Sequence, residues 1–263
     1  MSCSMSHLWA YDPERCDYHE CPMNCDRCTY AEGAENIFTF WEGKMPAYIR
    51  LCMNTWRFHY TVLTYDNMHE YTDIDIEPLK RYTLPQIADV IRVHVLRDNG
   101  GYWLDADTIM VTDKLPTTNM IGFPDRRANT IGYLHTEPHS KMFEAWAKYQ
   151  DDVIGEASSE DGWDIFGNRF TDQYVAEHPE ITIASVEPCW PETYMEDGND
   201  RWGQYRSFYF ARSYHLADIR PTDMIMLHNS WTPDWYKKMA TETVLREPCT
   251  LSNILRELND VKH

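Results

Sequence analysis

Residues 86–113, QIADVIRVHVLRDNGGYWLDADTIMVTD, constrain the fold more than any other stretch of the chain. Leu84-Pro85 opens a helix over 86–97, with Ile87, Val90, Ile91 and Leu96, and Val95 beside them, approximating one apolar face. Asn99-Gly100-Gly101 stops it in the manner of a glycine C-terminal cap. A very short strand over 102–104 follows, then Asp105-Ala106-Asp107, then a second strand-like run over 108–111. In an extended chain, side chains at i and i+2 point the same way, so Asp105 and Asp107 are expected to address one point beyond the strand end. Ligands of α/β sheets collect at the carboxyl ends of strands. Two hard oxygen donors there suit Mg²⁺ or Mn²⁺, ions that bridge diphosphate oxygens.

That reading accounts for a local part of an unusual charge balance. The 263 residues carry 42 Asp and Glu against 24 Lys and Arg, a formal net charge of −18. Such a balance argues against a nucleic-acid binder, which gains affinity by neutralising phosphates with cations, and against a polybasic membrane-docking face. An acidic protein can bind an anionic substrate through a metal ion. The composition, 43% hydrophobic and 14% aromatic, is that of a folded chain long enough to bury a core. No stretch approaches the ~18 uncharged residues of a membrane span. The first ten residues lack the basic start and apolar run of a secretory signal, so a cytoplasmic protein is expected.

Elsewhere strand-like and helix-like segments alternate. Strands are expected over 37–41, 60–65, 181–184 and 224–227, and helices over 46–56, 138–149, 165–176 and 251–261. Residues 188–203, rich in Pro, Asp, Asn and Gly, read as a long surface loop. The pattern predicts an α/β/α sandwich around a mostly parallel sheet from residue 36 onward, preceded by a cysteine-rich extension over 1–35. In that extension Cys16, Cys21, Cys25 and Cys28 offer four soft ligands, although only Cys25 and Cys28 have familiar zinc spacing. A structural Zn²⁺ and reduced or partly oxidised thiols remain equal readings.

The segments IFTFWEGKMP, TLPQIADVIRVHVLRDNGGYWLDADT and LHNSW together resemble the capsular-polysaccharide-synthesis and family 32 glycosyltransferases. They resemble, more distantly, the glucosylating domains of large clostridial toxins. The resemblance implies a GT-A fold and transfer of a sugar from a nucleotide-diphosphate donor, a UDP-sugar above all, to a glycan or other hydroxyl acceptor. It implies retention of anomeric configuration and a Mn²⁺ or Mg²⁺ cofactor. On this resemblance Trp41 lies near the nucleotide base, and Asp89 and Arg92 contact ribose or donor-sugar hydroxyls. Gly100 and Gly101 admit the sugar closely, and Trp103 stands where relatives carry Tyr. Asp105 meets the donor and Asp107 ligates the metal, with His228, Asn229 or Ser230 completing the shell and Trp231 reaching the diphosphate.

Blander readings exist for most of these residues. Asp89 and Arg92, at i and i+3, satisfy a simple helical ion pair, and the two glycines satisfy helix termination alone. Asp105 to Thr108 also fits the D-x-D-x-T signature of phosphatases, and a non-catalytic sugar-recognition module is a third alternative. Trp163, Trp190 and Trp202 are plausible sugar platforms in the second half, where the resemblance fades.

Overall fold

The computed structural model describes residues 36–122, 129–185, 200–219 and 221–260. Cys16, Cys21, Cys25, Cys28 and Trp190 lie outside the described residues, as does most of the expected 188–203 loop.

The central sheet runs β2-β1-β3-β6-β5-β7. Its first three strands, Thr61–Leu63 (β2), Ile37–Phe40 (β1) and Gly101–Leu104 (β3), are parallel. Asn129–Thr136 (β6) then runs antiparallel to both β3 and Met120–Gly122 (β5), and β5 pairs in parallel with Ile183–Ser185 (β7). Parallel pairs thus outnumber antiparallel ones, as expected, but an antiparallel strand sits in the middle. Nothing was expected over 129–136. Gly132 and the flanking polar residues break the apolar run, and pairing on both edges supplies the stability that local propensity lacks.

Strand alternation sorts side chains onto two faces and so builds two cores. Ile37, Tyr102, Leu104 and Tyr133 join the first, with helices Ala47–Met53 (α1) and Thr250–Asp260 near the chain end. Phe38, Phe40, Trp103 and Leu134 face the second, with helices Leu84–Asn99 (α2) and Lys141–Ile154 (α3). The three-layer mixed α/β arrangement follows. A further helix, Asn168–Glu177 (α4), packs beside α3 and β6.

Helix α2 carries the strongest local signals in the chain. The Gln86 carboxamide oxygen accepts from the Thr83 backbone N–H (3.0 Å) and hydroxyl (2.8 Å), tying off the first turn. Gly100, at φ +64°, ends the helix while its N–H reaches the Leu96 carbonyl (2.9 Å). From Asp89 to Leu96 every residue is buried, because the helix lies between the sheet and α3 rather than showing one face to water. No described helix is long and apolar enough to cross a membrane.

A separate two-stranded sheet pairs Thr108–Met110 (β4) antiparallel with Met224–Met226 (β8), Thr108 opposite Met226. Residues 105–108 link the two sheets. They form a turn, closed by the Thr108 N–H to the Asp105 carbonyl (2.9 Å), and not the extended D-x-D expected from the sequence. The chain must leave the main sheet here to enter the second one, so the strand cannot continue straight.

Candidate active site

Turn 105–108 stands at the carboxyl end of β3, and the β4–β8 pairing delivers residues 227–229 beside it. The Asn229 backbone N–H donates to Asp107 Oδ2 at 2.7 Å, and the Leu227 N–H reaches the Asp107 carbonyl at 3.3 Å. The Tyr48 hydroxyl, from α1, donates to Asn229 Oδ1 at 2.5 Å. Burial and the nearby Asp107 charge push the Tyr48 hydroxyl well up, so it stays a donor. The Tyr205 hydroxyl accepts the His228 N–H at 3.2 Å. Sequence reasoning missed Tyr48 and Tyr205. No local pattern marks them, since each acts across a long chain separation.

Asp105 is held from three sides. Its Oδ1 accepts from the Trp103 indole N–H (2.9 Å) and pairs with Arg92 Nη1 (3.2 Å), while its N–H binds the Gly132 carbonyl (2.8 Å). Its side chain remains 37% exposed. A Cβ at Gly132 would lie 2.3 Å from Met226 Cε and 2.8 Å from Asp105 Oδ2, so any larger residue there must displace both side chains. Arg92 is buried. Its guanidinium also pairs with Asp89 (2.9 Å), donates to the Ile131 carbonyl and lies 5.1 Å from the Trp103 ring. Asp89 and Trp103 are buried as well, so all three reach the site through Asp105 in this conformation.

The electrostatics follow from burial. Asp107 is pushed up to about 7 by desolvation and then by the Asp105 charge, with the Asn229 N–H opposing. Asp89 rises to about 7, also chiefly through burial, although Arg92 opposes it. His228 is driven down to about 4 by burial, which leaves a neutral imidazole able to ligate. Its ring centroid lies 4.4 Å from that of Trp231. Among the described residues no three His, Cys, Asp or Glu side chains are gathered as a metal cage, so Asp105, Asp107 and His228 do not form a closed ligand set.

The remaining expected residues are placed differently from one another. Trp41 follows β1, half-buried against the first core, and its indole N–H has no hydrogen-bond partner among the described residues. Gly101 begins β3, at the opposite end from Asp105, about 13 Å away at the usual strand rise. A Cβ there would meet the Asn36 carbonyl oxygen at 2.0 Å, and Gly101 sits at φ +90°. A Cβ at Gly100 would strike Pro138 at 2.5 Å. Both glycines therefore serve close chain packing, which their sequence position alone does not reveal.

Comparison with known proteins supplies a family. No curated protein matches the chain. Among solved structures, the PaToxG glycosyltransferase aligns with a TM-score of 0.40 at 15% identity, over 56% of this chain and 70% of that one. The family model of the capsular polysaccharide synthesis protein matches residues 17–177, more than half the chain. The matched span contains Asp89, Arg92, Asp105 and Asp107, stops before His228, and reaches back into the cysteine-rich stretch. The chain belongs to the capsular polysaccharide synthesis protein family.

Proposed function

We propose that residues 36–263 form a GT-A glycosyltransferase that moves a sugar from a nucleotide-diphosphate donor, a UDP-sugar, to a glycan hydroxyl with retention of configuration. The observation that carries this reading is the turn at the end of β3, where a partly exposed Asp105 and the raised Asp107 lie beside the 228–229 backbone. Family membership in capsule synthesis agrees with it.

The donor set fits Mn²⁺ or Mg²⁺. Such ions take one or two carboxylates and complete their shell with water and substrate phosphate, so a closed protein cage is not required. Asp107 and Asp105 would hold the ion, with the neutral His228 imidazole or Asn229 Oδ1 alongside. When bound, the ion offsets negative charge on the departing diphosphate. The protein's own part is preorganisation. Arg92 and Trp103 lock Asp105, Asn229 and Tyr48 lock the opposite wall, and Trp41 and Trp231 are the aromatic candidates for donor base and diphosphate. No described carboxylate is assigned as a covalent nucleophile, so front-face displacement is the proposed route.

A hydrolysis screen over nucleotide-sugar donors, with and without Mn²⁺, tests the reading. Turnover of one donor that requires Mn²⁺ and falls at least a hundredfold in Asp107→Ala is the expected result. Formation of a phosphoenzyme, or robust hydrolysis of simple phosphate esters lost in Asp105→Asn, would instead establish the phosphatase alternative. NMR of the product anomer decides retention.

A further inference from the structure

A second site adjoins the first. Helix Arg201–Arg206 (α5) runs into a π-helical turn, Ser207–Ala211, and faces the short helix Asp234–Lys237 (α6) across an open cleft of about 620 Å³. Arg206, Ser207 and Phe210 line one wall, and Ser230, Asp234 and Trp235 the other. Its volume falls within the roughly 300–1,000 Å³ of small-molecule sites. We infer that this cleft binds a pyranose unit of the glycan acceptor. The acceptor role rests on the transferase reading; the carbohydrate chemistry of the cleft does not.

Three observations carry the inference. The first is the π turn, a costly irregularity that recurs at functional sites. Here it buries Phe208 and Tyr209 in the core while Ser207, Phe210 and Ala211 line the cleft. The second is Trp235, a large aromatic ring left 46% exposed on the cleft wall. Its ring is braced edge-on by Phe210 (6.1 Å, 80°) and by Tyr236 (5.5 Å, 87°), so it forms a fixed platform at low entropic cost. A pyranose offers such a platform an apolar C–H face and carries its hydroxyls around the rim.

The third is the polar rim itself. Arg206 and Asp234 set a fixed donor and an acceptor across the cleft, and the Ser207 and Ser230 hydroxyls can do either. The plane of the Arg206 guanidinium is fixed by its Nε–H to the Trp231 carbonyl (3.0 Å) and by the Trp202 ring 3.6 Å away. Opposite charges on facing walls suit neutral hydroxyls better than a bare anion. Position supplies the link to catalysis. Ser230 directly follows Asn229, whose N–H binds the Asp107 carboxylate, so a sugar in the cleft lies at the edge of the candidate active site.

The test titrates the full chain with soluble pentasaccharides of β-1,4-glucose, α-1,4-glucose, β-1,4-N-acetylglucosamine and β-1,4-mannose, read by tryptophan fluorescence and calorimetry. In parallel, UDP with Mn²⁺ is titrated into the same proteins. At least one pentasaccharide is expected to saturate the wild type and to bind at least tenfold more weakly to Trp235→Ala. Ala211→Trp, which fills the cleft from an exposed position, is expected to show the same loss should Trp235→Ala fail to fold. UDP affinity is expected to stay within twofold in both. Absence of binding by all four sugars, wild-type affinity in the variants, or equal loss of UDP binding would overturn the inference. If UDP and Mn²⁺ fail to bind the wild type while the glycan binds, the transferase reading falls and the carbohydrate site stands.

Discussion

The Asn229 backbone N–H donates to Asp107 Oδ2 at 2.7 Å across 122 residues of sequence. This bond closes the candidate site, because it pins the β4–β8 sheet to the turn that leaves β3. It also uses only one carboxylate oxygen, which leaves the other for a ligand.

Asp107→Asn retains an oxygen that accepts this bond but removes the charge. Burial and Asp105 both disfavour that charge, so the variant is expected to be at least as stable as the wild type at pH 8. Binding of UDP with Mn²⁺ is expected to weaken tenfold or more. Thermal unfolding and calorimetry on one preparation check both halves.

Trp103→Phe deletes the indole donor to Asp105 and leaves part of its volume empty in a site that is 1% exposed. A loss of about 2–3 kcal/mol of stability is expected from the missing hydrogen bond and the cavity together. Donor hydrolysis should fall through kcat more than KM, because Asp105 loses orientation while the donor surface is unchanged. Urea unfolding and steady-state kinetics measure the two effects.

Gly101→Ala puts a Cβ where the Asn36 carbonyl oxygen lies 2.0 Å away, at a φ of +90°. The β1–β3 pairing must open, and a destabilisation of about 2 kcal/mol or more is expected. Activity per folded molecule should be unchanged, since the residue lies at the far end of β3. A specific loss of donor affinity in the folded fraction would restore the sugar-facing role that the family resemblance implies.

His228 and Asp107 give opposite pH dependences in the metal-free protein. His228 falls from 6.5 to about 4 on folding, so the unfolded chain binds more protons and stability is lost as pH falls from about 6.5 towards 4. Asp107 rises from 3.8 to about 7, so its contribution falls as pH rises through the same window. Comparing the wild type with His228→Asn isolates the first effect. The variant should gain on the wild type by about 2 kcal/mol between pH 7 and pH 4.5. Chemical unfolding with a chelator present, at the two pH values, reads this directly.

Much of the first half was legible because its signals are local. Helix α2 has its apolar positions, its opening Pro85 and its terminal glycines within one short window, and the structure places it over Leu84–Asn99. Strand β6 was invisible, since a glycine and polar residues become a central strand only when β3 and β5 pair with it. Asp105 and Asp107 were found by type and spacing, yet the extended geometry expected for them is a turn, imposed by the change of sheet at Thr108.

By itself the sequence determined the layered α/β class, the helix that ends at Gly100 and the pair of acidic residues after a short strand. Those features depend on periodicity and on backbone freedom, which act over a few residues. Tertiary structure alone decided that Arg92 pairs with Asp105 while Tyr48 and Asn229 frame Asp107. These bonds join residues as far apart as 181 positions in the chain, and distance in sequence carries no trace of them until both sheets have formed.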